Sequence, residues 1–444
     1  MSTQVRATSE FVTVRGPNLQ IRRRRLLLCT YGFPPTMGPR GLRLLQFTRE
    51  LSERGWEIDV LTARQSPSHL LYDAAFAVTS MPPGVRVYRT FPGPFYERVQ
   101  QRLRRDRSLT TQAATDGRRL PFGRDAIFRA LAVPDIMVEW LPFALLKGLT
   151  LVRENSYDVV LSAGLPFTGH LLGYLLKRFH KFPWVAEYGD PFAFNPSSRL
   201  PRWRHSLDSY LEGKLLRYAD GVVVTTENTR EAYLKHYSFL QPDKVWVVHS
   251  GYATGEYARI QPAISTRFRL VYTGIFYYDI RSPQPFFDAL TQLTDLDMEV
   301  VITGPSDAKL GETIRTAGLH NVRVLGNIPK AQVIALQKGC TLLLLIGFAH
   351  SLQLPLKTFE YLGANRPILC IRNGENDPVA GLVEPLRRGM VVDNRPECIA
   401  TAIRAAYELW KRGHLDAQFN LGELDEFTWS HAGAKLHNVL RTVS

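Results

Sequence analysis

Leu354-Pro355-Leu356-Lys357-Thr358-Phe359-Glu360-Tyr361-Leu362-Gly363, followed by Ala364-Asn365-Arg366-Pro367-Ile368-Leu369, decides the fold. The apolar run Thr341 to Ile346 precedes it and reads as a strand buried in a parallel sheet. Pro355 suits the first turn of a helix, where a missing N–H removes no intrahelical bond. Gly363 and Pro367 predict where that helix stops, and Ile368 to Ile371 begins the next strand. Lys357 and Glu360 stand three residues apart and share a face, so the helix start offers a cation and a carboxylate. Backbone N–H groups and an ammonium suit phosphate, and a carboxylate suits ribose hydroxyls, so the pattern fits a sugar nucleotide. The same spacing also describes an ordinary surface ion pair.

The 444 residues suffice for two core-bearing domains, at roughly 100–200 residues each. No apolar run reaches about 18 residues, so no membrane-spanning helix is expected. Residues 1–24 read as a disordered basic tail without an apolar signal core. Cys29, Cys340, Cys370 and Cys398 are scattered and sit in or beside apolar stretches, which predicts buried thiols, a reducing compartment and no zinc site. The formal net charge is +14. Much of the basic excess lies in Arg22–Arg25 and in Arg98, Arg102, Arg104, Arg105 and Arg107, continuing to Arg129. No nucleic-acid-binding motif accompanies these clusters. An anionic membrane surface is the more economical partner; a solvated basic insertion accounts for them too.

Upstream, strand and helix patterns alternate. Leu26–Thr30 is a strand, Tyr31 to Gly41 a turn-rich loop, Leu42–Arg54 a helix and Ile58–Thr62 a second strand. This is the start of a doubly wound domain without the dinucleotide fingerprint. Within a weakly patterned, basic insertion of about 66–132, Val85–Tyr88 reads as a strand. Then follow helix Leu141–Asn155, strand Asp158–Ser162, helix Thr168–Phe179 and strand Trp184–Glu187. Asp190 stands at the end of that strand, where open parallel sheets bind ligands; an Asx-type turn before Pro191 also explains it. Helix Leu207–Tyr218, strand Gly221–Thr225, a helix Glu227–Tyr237 capped by Thr226, and strand Val245–Val248 complete the half. Residues 25–253 thus form a first Rossmann-like domain, 254–266 a polar linker without periodicity, and 267–426 a second domain. Its strands are placed at Arg269–Tyr272, Glu299–Thr303, Val322–Leu325, Thr341–Ile346, Ile368–Ile371 and Met390–Val392, with helices Pro283–Leu293, Gln332–Gly339 and Pro396–Arg412.

The Leu-Pro-x-Lys-x-x-Glu-Tyr-Leu stretch resembles the donor-binding signature of GT-B-fold glycosyltransferases, in a bacterial subset of the retaining family 4. Many members carry two Glu around seven residues; this chain matches the second at Glu360 and has Leu352 at the first. Tyr188-Gly189-Asp190-Pro191-Phe192 resembles the subset's Arg-Asp-Pro-Trp, with Gly189 and Phe192 replacing Arg and Trp. Ser250-Gly251-Tyr252-Ala253 stands where the family has Asn-Gly-x-Asp. Phe427-Thr428-Trp429 resembles the start of the family's last helix, here 427–444, which crosses back onto the first domain.

The resemblance implies an α/β protein of two doubly wound domains facing a cleft, the first binding the acceptor and the second the donor. It places the donor at Gly38, Gly41, Gly274, Arg281, Gly304, Asn327, Ile328, Leu356, Lys357, Thr358 and Glu360. The acceptor side takes Arg40, Arg43 and Asp190, and the catalytic set is Asp190, Lys357 and Arg281. It further implies a nucleotide-sugar donor, UDP-linked ahead of GDP-linked, no metal, no required cofactor, and a small-molecule or lipid-linked saccharide acceptor. The expected setting is the cytoplasm, peripheral at the membrane's inner face. Two alternatives keep the fold: a nucleotide-sugar epimerase, for which Asp190 and His249 are the available acid–base groups, and a non-catalytic nucleotide-sugar binder or partner subunit.

Overall fold

The computed structural model describes residues 23–36, 38–67, 72, 81–94, 132–195, 200–276, 278, 282–305, 308–348 and 352–444. Two parallel sheets organise them. The first contains β1 (Arg25–Cys29), β2 (Glu57–Ala63), β3 (Val85–Thr90), β4 (Val159–Ala163), β5 (Trp184–Tyr188), β6 (Gly221–Val224) and β7 (Val245–Val247), in the order β3-β2-β1-β4-β5-β6-β7. The second contains β8 (Phe268–Thr273), β9 (Met298–Thr303), β10 (Val322–Val324), β11 (Leu342–Ile346), β12 (Ile368–Arg372) and β13 (Gly389–Asp393), in the order β10-β9-β8-β11-β12-β13. Strand order reverses between β1 and β4 and again between β8 and β11. Such reversals open crevices at the carboxyl ends of the strands.

Strands β1, β4 and β6 of the first sheet read as near-continuous apolar runs because both faces are covered. Leu27, Cys29, Val160 and Ala186 face a core shared with helices Leu141–Glu154 and Thr168–Phe179. Leu26, Leu28, Val159 and Val185 face the opposite core, filled by Phe47 and Leu51 of helix Pro39–Glu53 and by Trp429, Leu436 and Leu440 of helix Trp429–Val443. The final helix therefore belongs to the packing of the first domain. It is anchored where Tyr252 N–H donates to Phe427 O (3.0 Å) and Trp429 N–H to Tyr252 O (3.1 Å). Gly251 makes that approach possible, since a Cβ there would stand 2.6 Å from Trp429 N. Gly251→Ala is expected to cost about 1–3 kcal/mol, read as a lower urea midpoint at unchanged m-value.

Several predicted boundaries move. The linker is not wholly irregular: Thr254–Arg259 is helical and buries Tyr257. Pro355 is the N-cap residue, one position before the helix Leu356–Ala364. That helix is ended by Asn365 in the left-handed region (φ 53°). Gly363 lies inside it, because a side chain there would strike the Tyr252 ring. Helix Arg202–Tyr218 starts five residues before Leu207. Its first inward-facing pair is Arg204 and Asp208, joined at 2.7 Å, and an apolar period does not register a buried ion pair. Helix Ala308–Thr316 goes unpredicted because it buries only Leu310. Thr226 does cap helix Glu227–His236, accepting from Thr229 N. All four cysteines are free thiols, with Cys29, Cys340 and Cys370 buried and Cys398 half-buried. The basic stretch Arg98–Arg129 and residues 1–22 lie outside the described residues.

Candidate active site

At the carboxyl edge of the second sheet, three glycines follow three neighbouring strands, each with positive φ: Gly274 (120°), Gly304 (130°) and Gly326 (66°). Gly274 N–H donates to Thr303 O at 2.7 Å, and Gly304 N–H to Gly326 O at 2.8 Å, so the loops are stitched edge to edge. A Cβ on Gly304 would lie 2.6 Å from Gly274 O. Only glycine combines that conformation with that approach. Over the first loop lies Lys357. Its Nζ donates to Tyr272 Oη at 2.8 Å and stands 4.0 Å from the Tyr272 ring centre. Tyr272 in turn donates to Ile275 O at 2.7 Å and stacks on Phe276 at 4.0 Å. A Cβ on Gly274 would sit 2.8 Å from Lys357 Nζ. The ammonium and the glycine backbone thus converge, as phosphate binding requires.

Glu360 follows one turn along, half-buried. Burial holds its carboxyl above the ordinary range; Lys330 and Lys357 oppose that shift and Glu256 adds to it. Lys330 is itself paired with Glu256 at 2.6 Å. A carboxyl raised on folding stabilises the folded state at acid pH and loses that contribution as pH rises through its folded value. Ligand affinity that needs the ionised form has the opposite trend. Affinity for a ligand whose hydroxyls the ionised Glu360 would accept from is therefore expected to weaken on acidification at a higher pH than an ordinary glutamate would give, and Glu360→Gln is expected to flatten the profile in a calorimetric titration series. Thr358 is fully buried with no partner for its Oγ1. Leu356 packs on the first domain's core, so the helix start faces that domain. Asn327 is exposed and Ile328 half-buried in the loop after β10. Arg281 lies outside the described residues.

On the first domain, Arg40 and Arg43 converge on a residue that the sequence reading did not single out. Glu187, fully buried in β5, accepts from Arg43 Nε at 2.9 Å and from Arg40 Nη1 at 3.0 Å. Arg43, 4% exposed, also donates to Ser250 Oγ (3.1 Å) and Val248 O (2.7 Å). Its burial lowers the guanidinium pKa, which Glu187 counteracts. Arg43 is thus an internal strut rather than an acceptor-side cation. Arg40 is the more exposed of the two and lies directly against Gly189, where any side chain would collide with its guanidinium. The Gly189 that replaces the resembling subset's arginine thereby makes room for Arg40, beside Asp190. Gly41 has an internal reason as well: a Cβ there would run into the Thr36 carbonyl. Gly38 is the buried N-cap of the same helix.

Two supports were likewise not predicted. Glu212 is fully buried; it accepts from the Tyr233 and Tyr237 hydroxyls, both at 2.8 Å, and from the backbone N–H of Phe192 (3.3 Å) and Ala193 (3.2 Å). It fixes the loop that follows Asp190. Across the domains, the Leu352 carbonyl accepts from Thr226 Oγ1 (2.6 Å) and Thr229 Oγ1 (2.9 Å). His249 bonds Thr225 O through Nδ1 at 2.7 Å, and burial lowers its pKa.

Two Rossmann-like domains, with a last helix returned to the first, define the GT-B architecture. Residues 41–251 match the glycosyl transferase 4-like domain. A glycosyltransferase from Rickettsia africae ESF-5 is similar in structure, with a TM-score of 0.63 over 95% of this chain and 99% of its own at 12% identity. Anabaena Alr3699/HepE, solved with UDP and glucose, gives 0.63 over 95% and 100% at 14% identity. A putative UDP-N-acetylglucosamine 2-epimerase from Listeria monocytogenes gives 0.59 over 95% and 96% at 12% identity. At these identities the likeness is one of fold. No curated protein matches the chain.

Proposed function

We propose that this chain is a glycosyltransferase moving a sugar from a nucleotide-sugar donor, UDP-linked ahead of GDP-linked, to a hydroxyl of a small-molecule or lipid-linked saccharide. The observation that carries the reading is the convergence of Lys357 with the Gly274 and Gly304 turns, one helical turn from Glu360. Lys357 and the glycine backbone hold the diphosphate and take up its growing negative charge as the glycosidic bond breaks. Glu360 accepts from the ribose hydroxyls. Arg281 remains the sequence's candidate for a second cation on the Gly274 loop. Asp190, beside Arg40, orients the acceptor.

The reaction is proposed to retain anomeric configuration without a metal. The acceptor oxygen bonds the anomeric carbon on the face that the phosphate oxygen leaves, and the acceptor proton passes to that phosphate oxygen. A cytoplasmic setting suits the free thiols. Among the described residues no helix is long and apolar enough to cross a membrane.

The test is a panel of nucleotide sugars with and without EDTA, read by thermal shift and by nucleoside diphosphate release. One donor that stabilises the protein and turns over regardless of EDTA is the expected result. Stabilisation without release, across candidate acceptors, would convert the reading to a binder. Appearance of an epimerised donor would move it to the epimerase class that shares the frame.

A further inference from the structure

His170 stands in the first turn of helix Thr168–Phe179 and is fully buried. The tautomer of its ring is fixed by two neighbours. Trp184 Nε1, which can only donate, donates to Ser162 Oγ at 2.8 Å. Ser162 Oγ stands 2.8 Å from His170 Nδ1, the acceptor left for the serine proton. Nε2 therefore carries the ring's N–H, and that atom is buried without a partner. Burial, reinforced by the charge of Arg40, lowers the imidazole pKa to about 3, so the ring stays neutral. A buried donor without a partner forfeits its hydration and gains nothing in return, so it calls for a partner from outside the chain. Its direction is also fixed. A Cβ on Gly164, two positions beyond Ser162, would lie 2.4 Å from Nε2, so Nε2 points along β4 toward its carboxyl end, where the crevice lies. The surroundings belong to the loops after β4 and β5. Gly164 N–H donates to Glu187 O at 2.9 Å, and Phe167 stacks flat on Phe192, just past Asp190, at 4.0 Å. Between them Leu165, 37% exposed, holds a left-handed φ of 57°.

We infer that the Nε2–H of His170 is a saccharide-reading donor of the first domain's crevice, uncovered when the loop 164–167 shifts aside. The chemistry of the partner follows from the group. A neutral N–H that gives a hydrogen bond and takes none selects an uncharged oxygen, such as a sugar hydroxyl or ring oxygen. Arg40, the cation whose charge reaches the ring, is already held by Glu187, so the spot is not built for an anion. Phe192, half-buried and flat on Phe167, supplies the aromatic face that small-molecule sites set beside a few placed polar groups. The loop is poised to yield. Leu165 is strained in its left-handed conformation, and a shift of the loop releases that strain. The inference rests on the acceptor role proposed for this edge, but not on transfer, because binding is measured with no donor present. Failure of every nucleotide sugar to turn over would strike the transferase reading and leave the titrations below unaffected.

The full chain would be titrated calorimetrically with α- and β-p-nitrophenyl hexopyranosides, without nucleotide sugar. At least one is expected to bind the wild type. His170→Asn keeps a partner for Ser162 and loses the distal donor; it is expected to raise Kd about tenfold, the worth of one hydrogen bond. His170→Gln brings an amide N–H to the place of Nε2 and is expected to restore Kd to within about threefold of the wild type. Gly164→Ala leaves the ring intact but sets a methyl group in front of Nε2, and is expected to abolish binding. Circular dichroism melting confirms the fold of each variant. Folded Asn and Ala variants that bind as the wild type does, a Gln variant no better than the Asn variant, or no binding of any glycoside by the wild type would each overturn the inference.

Discussion

Lys357→Ala is expected to lower kcat/KM for sugar transfer by about 10²- to 10³-fold, the usual cost of removing one pre-positioned group that stabilises developing charge. The melting temperature should barely move. Lys357 is half-buried and its hydroxyl partner Tyr272 has a second bond to Ile275 O, so truncation does not strand that hydroxyl. Most of the loss should appear in kcat, because negative charge on the diphosphate grows as the sugar departs and the ammonium gains most there. Lys357→Arg should recover only part of it, since a planar guanidinium does not fit the point between the Gly274 backbone and the Tyr272 ring. The measurement is steady-state release of nucleoside diphosphate with the donor found by thermal shift. Near-wild-type turnover in Lys357→Ala would sink the assignment of the second sheet's edge as the donor site.

Glu187→Ala should be the most destabilising single change near the first domain's carboxyl edge, at about 3–5 kcal/mol. It strands the Arg43 guanidinium, which is buried and already disfavoured as a cation by that burial. Arg40 would lose the same anchor. Glu187→Gln keeps one acceptor oxygen and should cost less. Removing Arg43 together with Glu187 should restore part of the loss, as replacing both members of a buried pair usually does. Chemical denaturation of the two single variants and the double variant closes the cycle. Additive effects would contradict the coupling that the 2.9 Å contact implies.

How much of this was legible in the sequence depended on how far apart the partners lie. Strands such as Leu342–Ile346 announce themselves, because burial on both faces leaves nothing but apolar residues. The Thr226 cap is legible for the same local reason: its partner is three residues away. Glu187 sits in the strand Trp184–Tyr188 and is 144 residues from the arginine that neutralises it. No local pattern distinguishes it from a misplaced acid. Arg43, read as a ligand cation, was the other half of the same pair. Gly189 read as a lost arginine until the fold brought Arg40 against it. Helix Leu356–Ala364 was legible from its local pattern, yet its end was misplaced, because Gly363 answers to Tyr252, more than a hundred positions upstream.

The return of helix Trp429–Val443 to the first domain also sets a timetable. During synthesis the strands through Val247 emerge first, and one face of their sheet then has Phe47 and Leu51 but not yet Trp429, Leu436 and Leu440. About 180 further residues must be made before that helix appears, which at ordinary translation rates takes ~10–35 s. For that interval a stripe of core is open to solvent while the whole second domain is still being built. The two halves are therefore separable on paper but not in birth order: the first to be made is the last to be finished.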